Sequence, residues 1–292
     1  MHYKEVKGIL SAHNGINLYR GCTHGCIYCD SRSKCYNMQH DFEDVEVKSN
    51  AIELLEQSLK RKRNRCMIGT GAMTDPYMPI EGQLEMTRKS LELINHYDFG
   101  LAIQTKSDLI LRDLDLLKSI NEKTKCVVQM TLTTYDESLC KIIEPNVCTT
   151  KRRAEVLKIL RDHGIPTIVW LTPILPFIND TEDNLNGILD YCIDANVYGI
   201  LTFGMGLTLR EGDREYYYSK LDMHFPGLKD KYIKTYGNNY MIPSPNSKRL
   251  MAILRERCHK HGIVTDDQQL FEYMKTFEDK MDDPQLSIFD IL

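Results

Sequence analysis

Cys22, Cys26 and Cys29 fall within the eight residues CTHGCIYC, with spacing C-x3-C-x2-C. Thiols this close together serve as redox partners or as metal ligands. As ligands, three thiolates leave one position open on a tetrahedral ion, or one iron unligated on a four-iron cubane. A structural zinc ion closes its shell with a fourth ligand, and His24 and Cys35 stand near enough in sequence to supply it. A zinc module, however, usually pairs its C-x2-C with a second, distant pair, and this chain has none. A cubane held by three cysteines keeps one iron free for a substrate or cofactor, which is where reactivity resides.

Such a loop needs a scaffold. Short apolar, β-prone runs recur at INLY (16–19), CMIGT (66–70), FGLAIQT (99–105), CVVQMTLTT (126–134), TIVWLTP (167–173) and GILTFG (199–204). Helical periods lie between them. In SNAIELLEQSLKR, Ile52, Leu55 and Leu59 share a face, with Ser49 or Asn50 as cap. The segments LEMTRKSLELINHY, DLILRDLDLLKSI, TTKRRAEVLKILRDHG and TEDNLNGILDYCIDAN follow the same pattern, and Gly164 with Pro166 marks a stop. Six strands alternating with helices predict an α/β protein with a parallel sheet, either an open doubly wound sheet or a partial barrel. Periodicity alone leaves both open. In either, chemistry belongs at the C-terminal ends of the strands, and the cysteine loop directly follows the first.

The chain has 292 residues, 42% hydrophobic and 27% charged, ordinary values for a globular protein. No apolar run approaches the roughly 20 residues of a membrane span, and the first residues carry no secretory signal, so a cytoplasmic location is expected. In a reducing compartment ten cysteines do not form a disulfide framework. Those outside the cluster are expected to be buried small hydrophobes. Net charge is −4. From Glu272 onward stand six acids and two bases; subtracted from 41 and 37 they leave 35 of each, so the body is neutral. The basic run KRKRNR (60–65) reads as a solvated helix end. The organisation expected is a core at 1–210, an extension packing on it at 211–271, and an acidic, flexible tail at 272–292.

The phrase CTHGCIYC, with an aromatic residue before its last cysteine and a strand before it, resembles the radical S-adenosylmethionine (SAM) superfamily. The resemblance implies a partial (β/α)6 TIM-like barrel with a C-terminal helical and irregular extension. It implies a [4Fe-4S] cluster on Cys22, Cys26 and Cys29 whose open iron chelates SAM. Electron transfer, from a reductant such as flavodoxin or ferredoxin, then cleaves SAM to a 5′-deoxyadenosyl radical. The phrases GTGAMTDPYMPIE (69–81), QTKSDLILRDLDLL (104–117), EPNVCTTKRRAEVLKILRDHGIP (144–166) and LTPILPFINDT (171–181) are similar to the branch that includes spore photoproduct lyase. By that resemblance Tyr28 borders the adenine, and Thr74 and Asp75 lie by the amino-acid end of SAM. Lys106 reaches its carboxylate or ribose, and Thr131 meets the ribose. Glu144 and Arg153 either form a structural clamp or line the substrate mouth.

One departure stands out. The lyase carries a hydrogen-donating cysteine after its second strand, where this chain reads AMTD, with Ala72 and Met73. Cys66, Cys140 or Cys148 would have to approach from elsewhere. The stretch REYYYSKLDMHFPGLKDKYIKTYGNNY interleaves aromatics with bases, either as a surface for stacked bases or as a cap on the barrel with solvated lysines. The last residues, QLSIFDIL, resemble the bacterial sliding-clamp binding motif, which assigns Gln285, Leu286, Ile288 and Phe289 to a clamp. The expected function is a radical SAM enzyme, a lyase or a relative, acting on a DNA lesion. The alternatives are radical modification of a peptide, tRNA or small molecule, and a zinc-stabilised nucleic-acid-binding protein without catalysis.

Overall fold

The computed structural model describes residues 1–281. The clamp motif at Gln285, Leu286, Ile288 and Phe289 lies outside the described residues. The chain begins with β1 (His2–Lys4), β2 (Gly15–Ile16), β3 (Tyr19–Arg20) and β4 (Glu46–Lys48). There follow α1 (Ala51–Arg61), β5 (Met67–Thr70), α2 (Glu81–Leu84), α3 (Met86–His96), β6 (Gly100–Thr105), α4 (Leu114–Lys123) and β7 (Cys126–Thr131). Next come α5 (Glu137–Ile143), α6 (Thr150–Asp162), β8 (Thr167–Trp170), α7 (Glu182–Asp194) and β9 (Gly199–Leu201). The chain continues through β10 (Gly206–Thr208), α8 (Asp213–His224), α9 (Leu228–Tyr236), β11 (Met241–Pro243), α10 (Ser247–Lys260) and α11 (Asp267–Lys275).

The main sheet is parallel, in the order β2-β5-β6-β7-β8-β9. Each strand lies beside the next in sequence. A doubly wound sheet reverses its order at a switch point, and this one does not, so the α/β fold is the partial (β/α)6 barrel. The edges β2 and β9 do not pair with each other, which leaves the barrel open.

Strand alternation sorts the residues by face. Ile68, Leu101, Ile103, Val128, Met130, Val169 and Ile200 face outward into the main core, against Leu55 of α1, Leu91 of α3, Leu117 of α4, Leu157 of α6 and Ile188 of α7. The inward set begins apolar, with Met67, Ala102, Val127, Ile168 and Leu201, and these pack on Leu270 and Met274 of α11. Helix α11 thus plugs the N-terminal end of the barrel. It runs across the boundary expected at residue 272, because Leu270 and Met274, one turn apart, are both buried there.

Three other details differ from the sequence reading. INLY is not one strand: Gly15–Ile16 pairs with β5, whereas Tyr19–Arg20 joins the separate sheet β1-β4-β3. The chain changes sheets at Asn17 and Leu18, whose carbonyls accept from Lys48 Nζ at 2.6 Å and Lys48 N at 3.1 Å. The cysteine loop therefore leaves β3, not a barrel strand. Asn50 holds the cap position of α1, but its side chain bridges Val6, accepting from N at 3.0 Å and donating to O at 2.9 Å. The tyrosine-rich stretch folds as α8 and α9, burying Tyr217, Tyr232 and Tyr236 in a second core with Cys26, Ile27 and Tyr28. Tyr217 and Tyr232 hydroxyls lie 2.9 Å apart and Tyr232 donates to Pro176 O at 2.7 Å, so these aromatics cap the barrel as core.

No helix among the described residues is long and apolar enough to cross a membrane. Of the other cysteines, Cys126, Cys140, Cys192 and Cys258 are buried as expected; Cys66 and Cys148 are half-buried and Cys35 is exposed. Removing the plug's main contact with Leu270→Ala should cost about 2–5 kcal/mol. Urea denaturation read by circular dichroism measures it; an unchanged midpoint would mean α11 is not part of the fold's core.

Candidate active site

At the C-terminal end of the same inward face the residue types turn polar. Gln104 and Lys106 follow Ala102, Thr131 follows Val127, and Thr172 follows Ile168, each in period two. All four line one cavity of about 800 Å³. Its opposite wall is the cysteine loop, which contributes Cys22, Cys26, Tyr28 and Cys29. Thr74 and Asp75 complete the floor. Every residue assigned to cluster or SAM from the sequence therefore faces one space.

Backbone contacts set the loop. Gly21 has φ +86°, and a Cβ there would stand 2.4 Å from Phe42 O. Cys22 N donates to Phe42 O at 3.0 Å, Ile27 N to Ile143 O at 3.0 Å, and Asn146 N to His24 O at 3.2 Å. Burial pushes the Cys22 thiol up to about 12, with the Asp75 charge adding to it, and burial holds Cys26 well above its ordinary value. Thiols held that high are inert as redox partners at neutral pH, and a bound cation is what turns them into thiolates. The sulfurs also fit a cluster better than a lone ion. Four ligands about 2.3 Å from one zinc stand about 3.8 Å apart. Among the described residues His2, His40 and Asp44 bring their ligand atoms within 4.8 Å of one another, and the three cysteines are spread wider. The exposed Cys35 does not line the cavity, and its sulfur accepts from Arg210 at 3.3 Å.

Asp75 is a bracket. Its Oδ1 accepts from Thr105 Oγ1 at 2.7 Å and Tyr77 N at 2.9 Å, and its Oδ2 accepts from Lys106 N at 2.8 Å. Thr74 donates to Gly21 O at 2.6 Å, so its hydroxyl fastens the cysteine loop to the floor. His24 Nδ1 lies 3.5 Å from Asp75; burial still keeps its pKa below the ordinary value, aided by Lys106. Gly71 permits the close approach of floor and β6: its φ is +98°, and a Cβ would meet Gln104 O at 2.0 Å.

Lys106 is half-buried, its Nζ 5.9 Å from the Tyr28 ring centroid, and among the described residues it forms no ion pair. Burial works against its charge, but Cys26, Glu144 and Asp75 outweigh it and raise the pKa. It is a free ammonium in the cavity wall, ready for an anion. Glu144 and Arg153 do not line the mouth. Both are fully buried and paired, and Glu144 also accepts from the Tyr28 hydroxyl. Arg153 donates further to Thr131 O at 2.7 Å and Cys148 O at 3.0 Å. This is a clamp.

Sequence reasoning missed the mouth. Phe203, 61% exposed, stacks edge-on against Trp170, and Met73 and Met241 are exposed beside the same cavity. Phe203 lies two residues beyond Leu201, the next inward position, which was a usable signal; Met241 had none. No cysteine beyond Cys22, Cys26 and Cys29 lines the cavity. Cys148 Sγ faces Lys106 O at 3.3 Å, and Cys140 sits on the clamp. The place after β5 is thus without the lyase's thiol.

Three thiols at one wall, a free cation at another and a barrel between them define an enzyme site built for a cluster and a cofactor that carries an anionic group. Residues 16–192 match the family model of the radical SAM superfamily, and the chain belongs to that superfamily, whose members use a [4Fe-4S] cluster and SAM. Uncharacterised proteins of Mycobacterium tuberculosis and Mycobacterium bovis are 29% identical over 257 residues, covering 86% of this chain and 75% of theirs. One from Methanocaldococcus jannaschii is 36% identical over 169 residues, 57% of this chain and 62% of its own. The fold is similar to that of spore photoproduct lyase: a variant of it gives a TM-score of 0.64 at 14% identity, covering 90% of this chain and 79% of the other. Another, with AdoMet and a dinucleoside spore photoproduct bound, gives 0.62 at 14%, covering 85% and 74%. The reading as a zinc-stabilised binder without catalysis falls with the family.

Arg153→Leu strands the Glu144 charge and should cost about 3–5 kcal/mol. The double variant Glu144→Gln/Arg153→Leu should recover part of that loss in chemical denaturation. Losses that simply add would show that the pair is not coupled.

Proposed function

We propose that this radical SAM enzyme acts on a damaged nucleobase in DNA, bound at the apolar mouth of the cavity. One observation carries the reading: an exposed aromatic, Phe203, and two exposed methionines border the space that the cluster cysteines open onto. A base offers the π-face that such a platform stacks. The likeness in fold to a lyase solved with a dinucleoside lesion supports the same choice.

In this reading Cys22, Cys26 and Cys29 hold the cluster. When bound and reduced, the cluster supplies homolysis of SAM to a 5′-deoxyadenosyl radical that takes hydrogen from the substrate. Lys106 pairs with the SAM carboxylate, Tyr28 borders the adenine, and Thr131 reaches the ribose. Thr74 and Asp75 shape the amino-acid end while keeping the loop against the floor. An external reductant such as flavodoxin or ferredoxin delivers the electron. The hydrogen returned to the product comes from a group other than a thiol after β5.

Reconstituted protein with SAM, dithionite and ultraviolet-irradiated oligonucleotide should form 5′-deoxyadenosine and consume the lesion, and Cys26→Ala should do neither. Lys106→Met should raise the SAM concentration needed by about tenfold or more, the loss of a charge-assisted contact. Phe203→Ala should weaken oligonucleotide binding by about 1–3 kcal/mol and leave SAM binding unchanged. SAM cleavage that irradiated DNA neither stimulates nor redirects would refute the substrate assignment.

A further inference from the structure

Away from the cavity, the small sheet β1-β4-β3 carries a cluster of side chains that the radical chemistry does not use. His2 on β1 and His40 and Asp44 in the segment before β4 place one ligand atom each within 4.8 Å of the others. The rings of His2 and His40 meet edge to face, 4.7 Å between centroids. His40 Nδ1 lies 3.0 Å from Asp41 O, a carbonyl that can only accept, so Nδ1 carries the proton and Nε2 the lone pair. Among the described residues that Nε2 is buried without a hydrogen-bond partner, and it lies 3.9 Å from Glu46 Oε2. An imidazole oriented by a backbone carbonyl, with its other nitrogen free of a hydrogen bond, is the arrangement of a metal-ligating histidine.

His2 is set by carboxylates, and its ligation through Nδ1 requires the ion to replace a hydrogen bond that this nitrogen makes to Asp44. Its Nδ1 lies 2.9 Å from Asp44 Oδ2, and its Nε2 lies 3.8 Å from Glu46 Oε2, a carboxylate held by Lys4 Nζ at 3.1 Å. Ligation through Nδ1 would leave Nε2–H facing Glu46. The Met1 amine stands 2.6 Å from the other oxygen of Asp44, Oδ1, and leaves Oδ2 turned to the histidines.

We propose that His2, His40 and Asp44 form a second metal site, distinct from the cluster, that takes one divalent ion of the zinc class. Two imidazoles and one carboxylate are a nitrogen and oxygen set suited to Zn²⁺ and poor for Ca²⁺ or Mg²⁺. The ion joins β1 to the segment that carries Phe42, and Phe42 O is the acceptor for Cys22 N at 3.0 Å. It therefore steadies the strap beneath the first cluster cysteine and slows loss of the cluster. Nothing in this depends on the substrate.

The test uses tag-free protein with its cluster reconstituted, so that Cys22, Cys26 and Cys29 are occupied, incubated with zinc chloride alone and desalted. Elemental analysis should find about one zinc per chain, and zinc K-edge absorption should show nitrogen and oxygen neighbours without sulfur. His40→Ala and His2→Gln should each weaken zinc binding at least about tenfold, with iron content and far-ultraviolet circular dichroism unchanged. Zinc-loaded wild type should also keep its iron longer against a chelator than either variant. A sulfur shell, zinc retained by both variants, or no zinc on the wild type at micromolar concentration would overturn the assignment.

Discussion

The buried pair of Glu144 and Arg153 ties together two walls of the cavity, at Tyr28 and at Thr131. Taking two charges out of water gains little net stability even when they meet, so a pair this deep is better understood by what it holds in place. Arg153 sits in the first turn of α6 and reaches Thr131 O at the end of β7, Cys148 O in the preceding loop, and Glu144. Glu144 takes the Tyr28 hydroxyl. Strand end, helix start and cysteine loop are thereby tied through one guanidinium, whose planar fork of donors suits three directions at once. Tyr28 stands between Cys26 and Cys29, so fixing the ring fixes the two thiols on either side. Desolvation enforces the arrangement: a shift of the loop would leave a bare carboxylate inside the protein.

The barrel's interior is divided by depth. Inward residues at the N-terminal end are apolar and covered by α11, while the same alternation two and four positions later turns to Gln104, Lys106 and Thr131. A closed barrel of this kind fills with its own side chains. Here β2 and β9 do not meet, and the space between floor and cysteine loop stays open at about 800 Å³. The tyrosine core of α8 and α9 backs the loop from outside, so the extension stiffens the wall that carries the three thiols.

Much of this was legible in the sequence. Six β-prone runs with helical periods between them gave the parallel sheet, and C-x3-C-x2-C picked out three thiols that line one cavity, because both signals are local. Strand order was not local, and it took the structure to separate barrel from doubly wound sheet. INLY hid a change of sheet, since two short pairings separated by two residues look like one strand. Helix α11 went unseen because its two buried residues, Leu270 and Met274, are set in an acidic, polar context that suggests a tail. Asp75 was assigned to the cofactor from resemblance alone, and its bonds to Thr105, Tyr77 and Lys106 reveal a bracket that no spacing announces. Phe203 could have been found by extending the inward alternation one step past the end of β9.

A small zinc domain has no fold without its metal, and binding then supplies the folding energy. This cysteine loop is different. Phe42, Ile143 and His24 carbonyls, the Thr74 hydroxyl and the Glu144 clamp fasten its backbone to the surrounding chain. Raised thiol pKa values follow from the same burial, so the cluster must displace protons to enter and is then shielded from water. The fold thus keeps structural duty in the core and clamp, apart from the wall where the three thiols stand.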